Sequence, residues 1–233
     1  MLRVALAVPL IVIDTLILGV PALLLGVLDR SGLVPHRIAC HWARFILKSC
    51  GVRVVVEGRE NVPAGPAVFA ANHTSALDIP ILFGHLPVSF RIIYKRSLSW
   101  LPLVGWHLYL GGHIAIDRGN PFKAKKSLAA AARRIRGGTS VAVFPEGTRG
   151  SSPLPGLFKR GSFLLAIEAG VPVVPVSVVG VKRVAPHGIL TLRPGSVVVR
   201  IHPPIAPGLA RENAEALAVQ VRDVVLRGCE APA

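Results

Sequence analysis

The chain has 233 residues, of which 52% are hydrophobic and 17% are charged, and its formal net charge is +15. This length fits one domain with a sizeable core, and the excess of positive charge indicates a polyanionic partner such as nucleic acid, an anionic membrane or a phosphorylated substrate. Only 6% of the residues are aromatic and no zinc-finger, heptad or helix-turn-helix pattern occurs, so an anionic membrane fits the composition better than nucleic acid does.

The first predicted element is a long apolar stretch, "VALAVPLIVIDTLILGVPALLLGVL", over residues 4–28. It is long enough to cross a bilayer, which takes about 20 residues. Asp14 in its middle would cost roughly 2.5–3.5 kcal/mol on insertion scales, and Pro9 and Pro21 would kink or break a straight helix. A hairpin within one leaflet therefore competes with a single span, whereas a cleaved signal peptide and a buried core helix fit this length less well.

The next element, residues 36–51, combines apolar residues at helical spacing with positive charges: Ile38, Trp42, Phe45 and Ile46, with Arg37, Arg44 and Lys48. Two interpretations fit this pattern, an amphipathic helix in a membrane interface and an ordinary surface helix packed on a core. If the first element spans the membrane, the basic residues that follow it place the rest of the chain in the cytoplasm. We therefore predict a membrane-anchoring helical segment over residues 1–50.

After residue 50, short β-branched runs alternate with helical stretches. The predicted strands are residues 52–58, 67–71, 91–94, 113–116, 141–144, 171–180 and 196–201, and the predicted helices are residues 75–86, 99–110, 121–138, 161–170 and 210–228. Strands that are almost continuously apolar and alternate with helices are typical of a parallel sheet covered on its faces. The sequence thus predicts an α/β domain over residues 51–233, with a mostly parallel sheet flanked by helices.

Polar residues follow three of the predicted strands. The strand "AVFAA" ends at Asn72-His73, "HIAI" ends at Asp117-Arg118, and "VAVF" ends at "PEGTRG". Ligands bind at the carboxyl ends of strands in sheets of this kind. We therefore expect these three strand ends to converge on one site.

The stretch "NHTSALD" places His73 and Asp78 five positions apart. A carboxylate on one imidazole nitrogen fixes the tautomer, so the other nitrogen can take a proton from a hydroxyl. On its own the pair is also compatible with a histidine that is simply hydrogen-bonded in a loop. Ser75 is not predicted as a nucleophile because no G-x-S-x-G motif occurs, and no metal is predicted because no H-E-x-x-H motif or ligand cluster occurs.

The stretch "FPEGTRG", residues 144–150, predicts a tight turn that could hold a phosphate. Gly147 would expose backbone N–H groups, Thr148 adds a hydroxyl, and Arg149 adds a forked cation. Glu146 either orients Arg149 or accepts a hydrogen bond from a substrate hydroxyl. Lys95 and Arg118, at two other strand ends, would extend this into a basic pocket beside His73, which favours a phosphorylated lipid with a free hydroxyl as substrate.

Four stretches, "NHTSALD", "GGHIAIDR", "FPEGTRG" and "VPVVPV", resemble in order and spacing the sequence blocks of the glycerolipid acyltransferases, with the closest resemblance to bacterial 1-acylglycerol-3-phosphate acyltransferases. The resemblance covers roughly residues 50–180. It implies that His73 is the general base, that Asp78 is its partner, and that the acceptor is bound at Arg118, Glu146, Gly147 and Arg149, with Lys95 near a position of the same role. His113 stands where small or aliphatic residues are common in the family, so it either alters acceptor preference or points away from the pocket.

The family's reaction moves a fatty acyl group from a thioester of coenzyme A or acyl carrier protein to the 2-hydroxyl of lysophosphatidic acid, which forms phosphatidic acid for phospholipid synthesis. The resemblance thus implies an enzyme of the cell membrane with its catalytic domain on the cytoplasmic face, and no cofactor beyond the acyl thioester. An acyltransferase for another lyso-lipid, such as a lyso-ornithine lipid or a lysophospholipid, is the nearest alternative. A non-catalytic module that binds anionic lipid and a nucleic-acid binder are alternatives from other classes.

Overall fold

The computed structural model describes residues 2–29, 31–117, 121–150, 152–186, 191–208 and 213–231. The helices are α1 (Leu2–Leu28), α2 (Leu33–Ser49), α3 (Asp78–His85), α4 (Val104–Leu110), α5 (Pro121–Arg136), α6 (Gly161–Ala169), α7 (Val181–Val184) and α8 (Ala214–Glu230). The strands are β1 (Val52–Glu57), β2 (Val68–Ala71), β3 (Phe90–Lys95), β4 (Ile114–Ile116), β5 (Ser140–Val143), β6 (Val173–Val179) and β7 (Gly195–Ile201), and 3₁₀ turns occupy Arg59–Asn61 and Arg96–Trp100.

In the described part of the chain the seven strands form one sheet in the order β1-β7-β6-β2-β5-β3-β4. Neighbouring strands are parallel except for β6 and β7, which are antiparallel. The central strands β2 and β5 are buried at every position, as expected for strands covered on both faces. The predicted fold, a mostly parallel sheet flanked by helices, is confirmed, and each predicted strand overlaps an observed one.

Two apolar clusters cover the two faces of the sheet. On one face, Leu47 of α2 and Ile81 of α3 pack with Phe69 and Phe90 of the strands. On the other face, helices α5, α6 and α8 supply residues such as Ile135, Phe163 and Val221. Since β2 contributes Phe69 to the first cluster and Val68 to the second, the alternation of side chains along a strand decides which helices it holds.

The sequence analysis predicted a kink or a break at Pro9 and Pro21, and the break is wrong because helix α1 is continuous through both prolines. It includes a 20-residue stretch from Pro9 to Leu28 that is long and apolar enough to cross a membrane. One side packs on α2 and α4 through two polar contacts: Trp42 Nε1 donates to Thr15 Oγ1 at 2.9 Å, and His107 Nε2 lies 2.9 Å from the Gly19 carbonyl oxygen. The other side exposes large apolar residues, including Leu16, Ile17, Val20 and Leu24.

The turn between α1 and α2 is fixed by Asp29 and Arg91. The Asp29 carboxylate accepts hydrogen bonds from the backbone N–H groups of Ser31 and Val34, at 2.9 and 2.6 Å, and so satisfies free donors at the start of α2. The buried Arg91 donates to the Ser31 carbonyl oxygen at 2.6 Å. As a result, α2 lies between α1 and α3. Its Ile46 belongs to the core cluster, so the face of α2 that carries Ile46 is packed on the core, as the surface-helix interpretation expects.

Candidate active site

His73 and Asp78 meet at the carboxyl end of β2. The Nδ1 atom of His73 lies 2.9 Å from Oδ2 of Asp78, which is fully buried. Asp78 is the first residue of α3, and the same oxygen accepts the backbone N–H groups of Thr74 and Ser75 at 2.7 and 2.8 Å. The chain between the two residues therefore folds around one carboxylate oxygen, which explains how a spacing of five residues brings the pair together.

This geometry determines the tautomer of His73. Because a carboxylate oxygen only accepts hydrogen bonds, the proton shared with Asp78 belongs to Nδ1, and Nε2 has a free lone pair. No protein group within the described residues bonds to Nε2, and 14% of the side-chain surface remains accessible. The imidazole can thus act as a base towards a bound molecule.

The ring of His73 also stacks on Phe144, the residue after β5, with ring centroids 4.0 Å apart and planes 18° apart. A face-to-face aromatic neighbour restricts rotation of the imidazole and is attracted to its protonated form through the π electrons. The sequence placed Phe144 in a strand and gave no sign of this contact, because the contact joins the ends of two strands that are 71 positions apart in the chain.

Glu146 supports the backbone around His73. Its Oε1 atom accepts the backbone N–H of His73 at 2.8 Å, and its Oε2 atom accepts that of Gly156 at 3.3 Å. Asn72 has a similar role, since its side-chain amide exchanges two hydrogen bonds with the backbone of Val178, at 2.7 and 3.0 Å. Both side chains are buried, so their contacts fix the strand ends on either side of the candidate base.

The turn after β5 is closed by the backbone N–H of Gly147, which donates to the Phe144 carbonyl oxygen at 3.0 Å, so this N–H is not free for a phosphate as the sequence analysis expected. Gly147 has a φ of +76°, a conformation that side-chain-bearing residues rarely adopt, and Thr148 and Arg149 are exposed beside it. Lys159 lies over this turn: its Nζ atom is 2.9 Å from the point that a Cβ on Gly147 would occupy. The absence of a side chain at position 147 therefore makes room for a second cation, which the sequence analysis did not identify.

An apolar cavity of about 780 Å³ runs from this turn under α1, α2 and α4. Its mouth is lined by His73, Lys95, Thr148, Arg149 and Lys159, together with Gly147, and α6 begins there with Gly161 and Ser162. The walls come from residues such as Leu16, Leu23, Ile38, Phe83, Ile92 and Leu108. The positive side chains and the N-terminal end of α6 favour an anion at the mouth, while the walls favour a hydrocarbon chain.

The far part of the cavity is lined by His113, just before β4. Its Nδ1 atom accepts the backbone N–H of Ile92 at 3.1 Å, and its ring meets Phe83 edge-on. Burial, with a smaller contribution from the nearby positive charge of Arg91, lowers the pKa of His113 to about 3. Burial likewise lowers the pKa of the neighbouring His36 to about 4, again with a contribution from Arg91. His113 is therefore a neutral wall residue near neutral pH, and it faces the cavity rather than pointing elsewhere.

The structure brings together seven of the eight predicted site residues at this end of the sheet. His73, Lys95, Gly147, Thr148 and Arg149 line the cavity, and Asp78 lies buried behind His73. Glu146 is also buried and bonds to backbone N–H groups instead of orienting Arg149. Arg118 lies outside the described residues, although β4, which precedes it, supplies Ile116 to the cavity wall.

Comparison with known proteins gives a consistent family. The acyltransferase family model matches residues 53–179. The chain is 38% identical over 176 residues to a 1-acyl-sn-glycerol-3-phosphate acyltransferase of Chlamydomonas reinhardtii, a match that covers 74% of this chain and 52% of that protein. It is 37% identical over 142 residues to the protein of the same name from Pseudomonas aeruginosa, a match that covers 59% of this chain and 55% of that protein. The chain thus spans about half the length of the curated relatives it matches.

A solved structure agrees with these sequence relatives. The crystal structure of the 1-acyl-sn-glycerophosphate acyltransferase PlsC from Thermotoga maritima superposes with a TM-score of 0.81 at 30% identity, over 98% of this chain and 94% of that one. The likeness includes the N-terminal helices as well as the sheet, since nearly the whole of both chains is covered. By its sequence and by its fold, the chain belongs to the acyltransferase family.

Proposed function

We propose that this protein is a membrane-associated 1-acylglycerol-3-phosphate O-acyltransferase. It transfers a fatty acyl group from the thioester of coenzyme A or acyl carrier protein to the 2-hydroxyl of lysophosphatidic acid, and it needs no cofactor beyond that thioester. The names of its relatives in an alga, a bacterium and a yeast, all 1-acyl-sn-glycerol-3-phosphate acyltransferases, support this acceptor. The donor is proposed from the chemistry of acyl transfer and from the basic rim, which suits the phosphates of coenzyme A or an acidic carrier protein.

One observation carries the proposal: His73, with its partner Asp78, lies between a positively charged rim and an apolar cavity. A lyso-lipid has a phosphate, a free hydroxyl and a hydrocarbon chain within a few bonds of one another. Arg149, Lys95 and Lys159 provide partners for the phosphate, His73 for the hydroxyl, and the cavity for an acyl chain. A soluble metabolite would leave the apolar cavity empty, and a phosphate-free lipid would leave the cations without a partner.

The reaction follows from this arrangement. Nε2 of His73 takes the proton of the acceptor hydroxyl while its oxygen attacks the thioester carbonyl carbon, and Asp78 stabilises the imidazolium that forms. Backbone N–H groups at the strand ends and the positive end of α6 stabilise the negative charge on the carbonyl oxygen. When the C–S bond breaks, the imidazolium returns its proton to the departing sulfur. The products are the new ester and the free thiol, and His73 returns to its original neutral state.

Helix α1 supports the proposed membrane association. The 20-residue stretch from Pro9 to Leu28 has a mean hydropathy of 2.5, and only 11% of it is buried against the rest of the protein. Arg37, Arg44 and Lys48 on α2 follow it, and positive residues after an apolar segment are typical of the cytoplasmic side. We therefore propose the cell membrane as the location, with the sheet and its site on the cytoplasmic face.

The test is the formation of phosphatidic acid from lysophosphatidic acid and a labelled acyl thioester in detergent, with both coenzyme A and acyl carrier protein as donors. We expect His73→Ala to lose about 10²–10⁴-fold in rate, the typical contribution of a positioned base. His41→Ala, at an exposed histidine on α2, is the matched control and should keep wild-type activity. An inactive wild type with every thioester would contradict the proposed reaction, and an active His73→Ala would contradict the role of the base.

The alternative acceptors are tested with the same preparation. Lyso-ornithine lipid and lysophosphatidylcholine are offered in place of lysophosphatidic acid at equal concentration. Because three cations line the mouth of the cavity, we expect the phosphate monoester to be the preferred acceptor. A higher kcat/KM for either alternative would assign the site to a different lyso-lipid and leave the chemistry at His73 unchanged.

A further inference from the structure

A second exposed apolar surface lies beside α1. It consists of Trp100, Leu101, Leu103, Val104, Trp106 and Tyr109, and is called here the α4 surface. Trp100 is 82% exposed, Tyr109 is 78% exposed and Trp106 is 56% exposed. Large aromatic side chains dominate cores and interfaces because they remove so much apolar area from water. Several of them together on one face of a folded chain therefore indicate a surface that is covered in use.

The backbone of this segment is strained in a way that keeps an apolar residue outside. Leu103 has a φ of +64°, and among the described residues it is the one non-glycine residue with a positive φ. The N–H of Val104 donates to the Pro102 carbonyl oxygen at 2.7 Å, which closes a tight γ-turn of a rare and strained kind. Leu103 is nevertheless 49% exposed, so packing in the core does not explain why the strain is kept.

The α4 surface is continuous with the exposed side of α1. His107 of α4 contacts the Gly19 carbonyl oxygen of α1 at 2.9 Å, which holds the two helices together. Leu103 and Val104 on one side, and Leu16 and Val20 on the other, are exposed and also line the cavity. The two apolar surfaces thus contribute to the lining of the same cavity that His73 lines.

The chemistry of this surface matches a lipid interface. Tryptophan and tyrosine are enriched where membranes meet water, because their rings are apolar with one polar group. Lys95 and Arg96, both exposed, precede it in the chain, and exposed positive residues attract anionic lipid headgroups. A nucleic acid would need a more polar and more basic surface, so the combination of leucine, tryptophan and flanking cations favours a membrane.

We propose that the α4 surface is a second membrane-contacting element, which enters the interface beside α1 and opens the cavity towards the lipid phase. The acceptor lyso-lipid then reaches His73 sideways from the membrane without first leaving it for water. The entry route rests on the proposed function, whereas contact with the membrane does not, so the two are measured separately.

The contact is measured by tryptophan fluorescence in the full-length protein. One variant keeps only Trp100 and another keeps only Trp106, with the other tryptophans replaced by phenylalanine. The matched control has all three replaced and a new tryptophan at Val219, an exposed position on α8. Each protein is mixed with anionic vesicles that contain brominated lipid, which quenches tryptophan only within the bilayer. Folding of each variant is checked by circular dichroism.

We expect vesicles to shift the emission of Trp100 and Trp106 to the blue and the bromine to quench it, while the tryptophan at position 219 is unaffected. Unquenched emission from both Trp100 and Trp106 would overturn the proposal, and so would protection of both by self-association in the absence of lipid. These readouts need no catalysis, so an inactive protein that is quenched would retain this inference and lose only the proposed reaction.

The entry route has its own test. Trp100→Ser combined with Trp106→Ser changes residues that do not line the cavity. We expect kcat/KM for lysophosphatidic acid embedded in vesicles to fall about tenfold or more, since two large apolar groups are lost from the interface. Activity on a short-chain, monomeric lysophosphatidic acid in detergent should stay at the wild-type level. Equal losses on both substrates would contradict entry from the membrane.

Discussion

The two ends of the cavity each present a histidine, and their surroundings give them opposite properties. At the mouth, His73 donates from Nδ1 to a buried carboxylate and keeps Nε2 open to the cavity. Inside, His113 accepts a backbone N–H at Nδ1, its charged neighbours among the described residues include Arg91 and Arg134, and burial lowers its pKa to about 3. A carboxylate partner stabilises an imidazolium, whereas burial beside positive charge prevents it from forming. Residue type alone therefore does not identify the base.

The largest effect should come from removing the charge of Asp78. Asp78→Asn keeps the shape of the side chain but offers an amide to Nδ1, which favours the wrong tautomer and no longer stabilises the imidazolium. We expect kcat to fall about 10³–10⁴-fold, with little change in KM for the acceptor. The measurement is steady-state phosphatidic acid formation. A loss of less than tenfold would mean that the two ends of the cavity differ less than the geometry indicates.

A smaller effect should follow from Lys159→Ala. If Lys159 binds the acceptor phosphate over Gly147, its loss should raise KM for lysophosphatidic acid about 10- to 100-fold, the worth of a charge-assisted hydrogen bond. Lys126→Ala, at an exposed lysine on α5, is the control. The effect should be weaker for a lyso-lipid without a phosphate monoester, and an equal effect on both acceptors would assign Lys159 a role other than phosphate binding.

The stacked ring at the mouth should matter less than either charge. Phe144→Leu keeps an apolar side chain but removes the flat surface against His73. Aromatic pairs contribute roughly 0.5–1.5 kcal/mol beyond their buried area, so we expect activity to fall about 2- to 10-fold. An unchanged rate would show that the Phe144 ring is not needed to orient His73.

Burial of His113 should affect the stability of the fold in acid and not the activity. Because the pKa of His113 in the fold is about 3, against a usual value of 6.5, the unfolded chain binds a proton that the folded chain does not between those values. The free energy of unfolding should therefore be fully retained above pH 6.5 and fall as the pH drops below it, by about 1.4 kcal/mol per pH unit for each such histidine. His36 adds to the same slope.

The check is urea unfolding of wild type and His113→Gln at several pH values between 4.5 and 7.5. The variant should have a shallower pH dependence below 6.5, by about one proton. A parallel pH dependence in the two proteins would show that His113 is protonated in the fold, which would remove the contrast between the two ends.

Much of this structure could be predicted from sequence because its signals are local. The apolar β-branched runs predicted the position of every described strand. The polar residues at the strand ends indicated His73, Asp78 and the turn at Gly147. The unbroken course of α1 through Pro9 and Pro21 could not be predicted in this way, because it depends on the packing of α1 against α2 and α4. Contacts on one side, including the bonds of Thr15 and Gly19, favour the helix where local preference alone would allow a break.

The parts of the site that were missed depend on contacts between distant segments. Lys159 lies at the mouth because the chain returns there after a loop. The backbone N–H of Lys159 donates to the Pro145 carbonyl oxygen at 2.9 Å. The contacts of Glu146 could not be predicted because its partners are the backbone N–H groups of His73 and Gly156, which no side-chain pattern records. The glycine of the turn after β5 was the one available signal for Lys159, since Gly147 leaves space that another side chain can enter.

The central claim is that His73 and Asp78 act as one unit in acyl transfer, and a double-mutant cycle tests it most directly. Phosphatidic acid formation is measured for wild type, His73→Ala, Asp78→Asn and the double variant in the same detergent. Residues that act together are strongly non-additive, so we predict that the double variant is no slower than His73→Ala alone. Losses that multiply would contradict the account, because they would show that Asp78 contributes to the reaction independently of the imidazole.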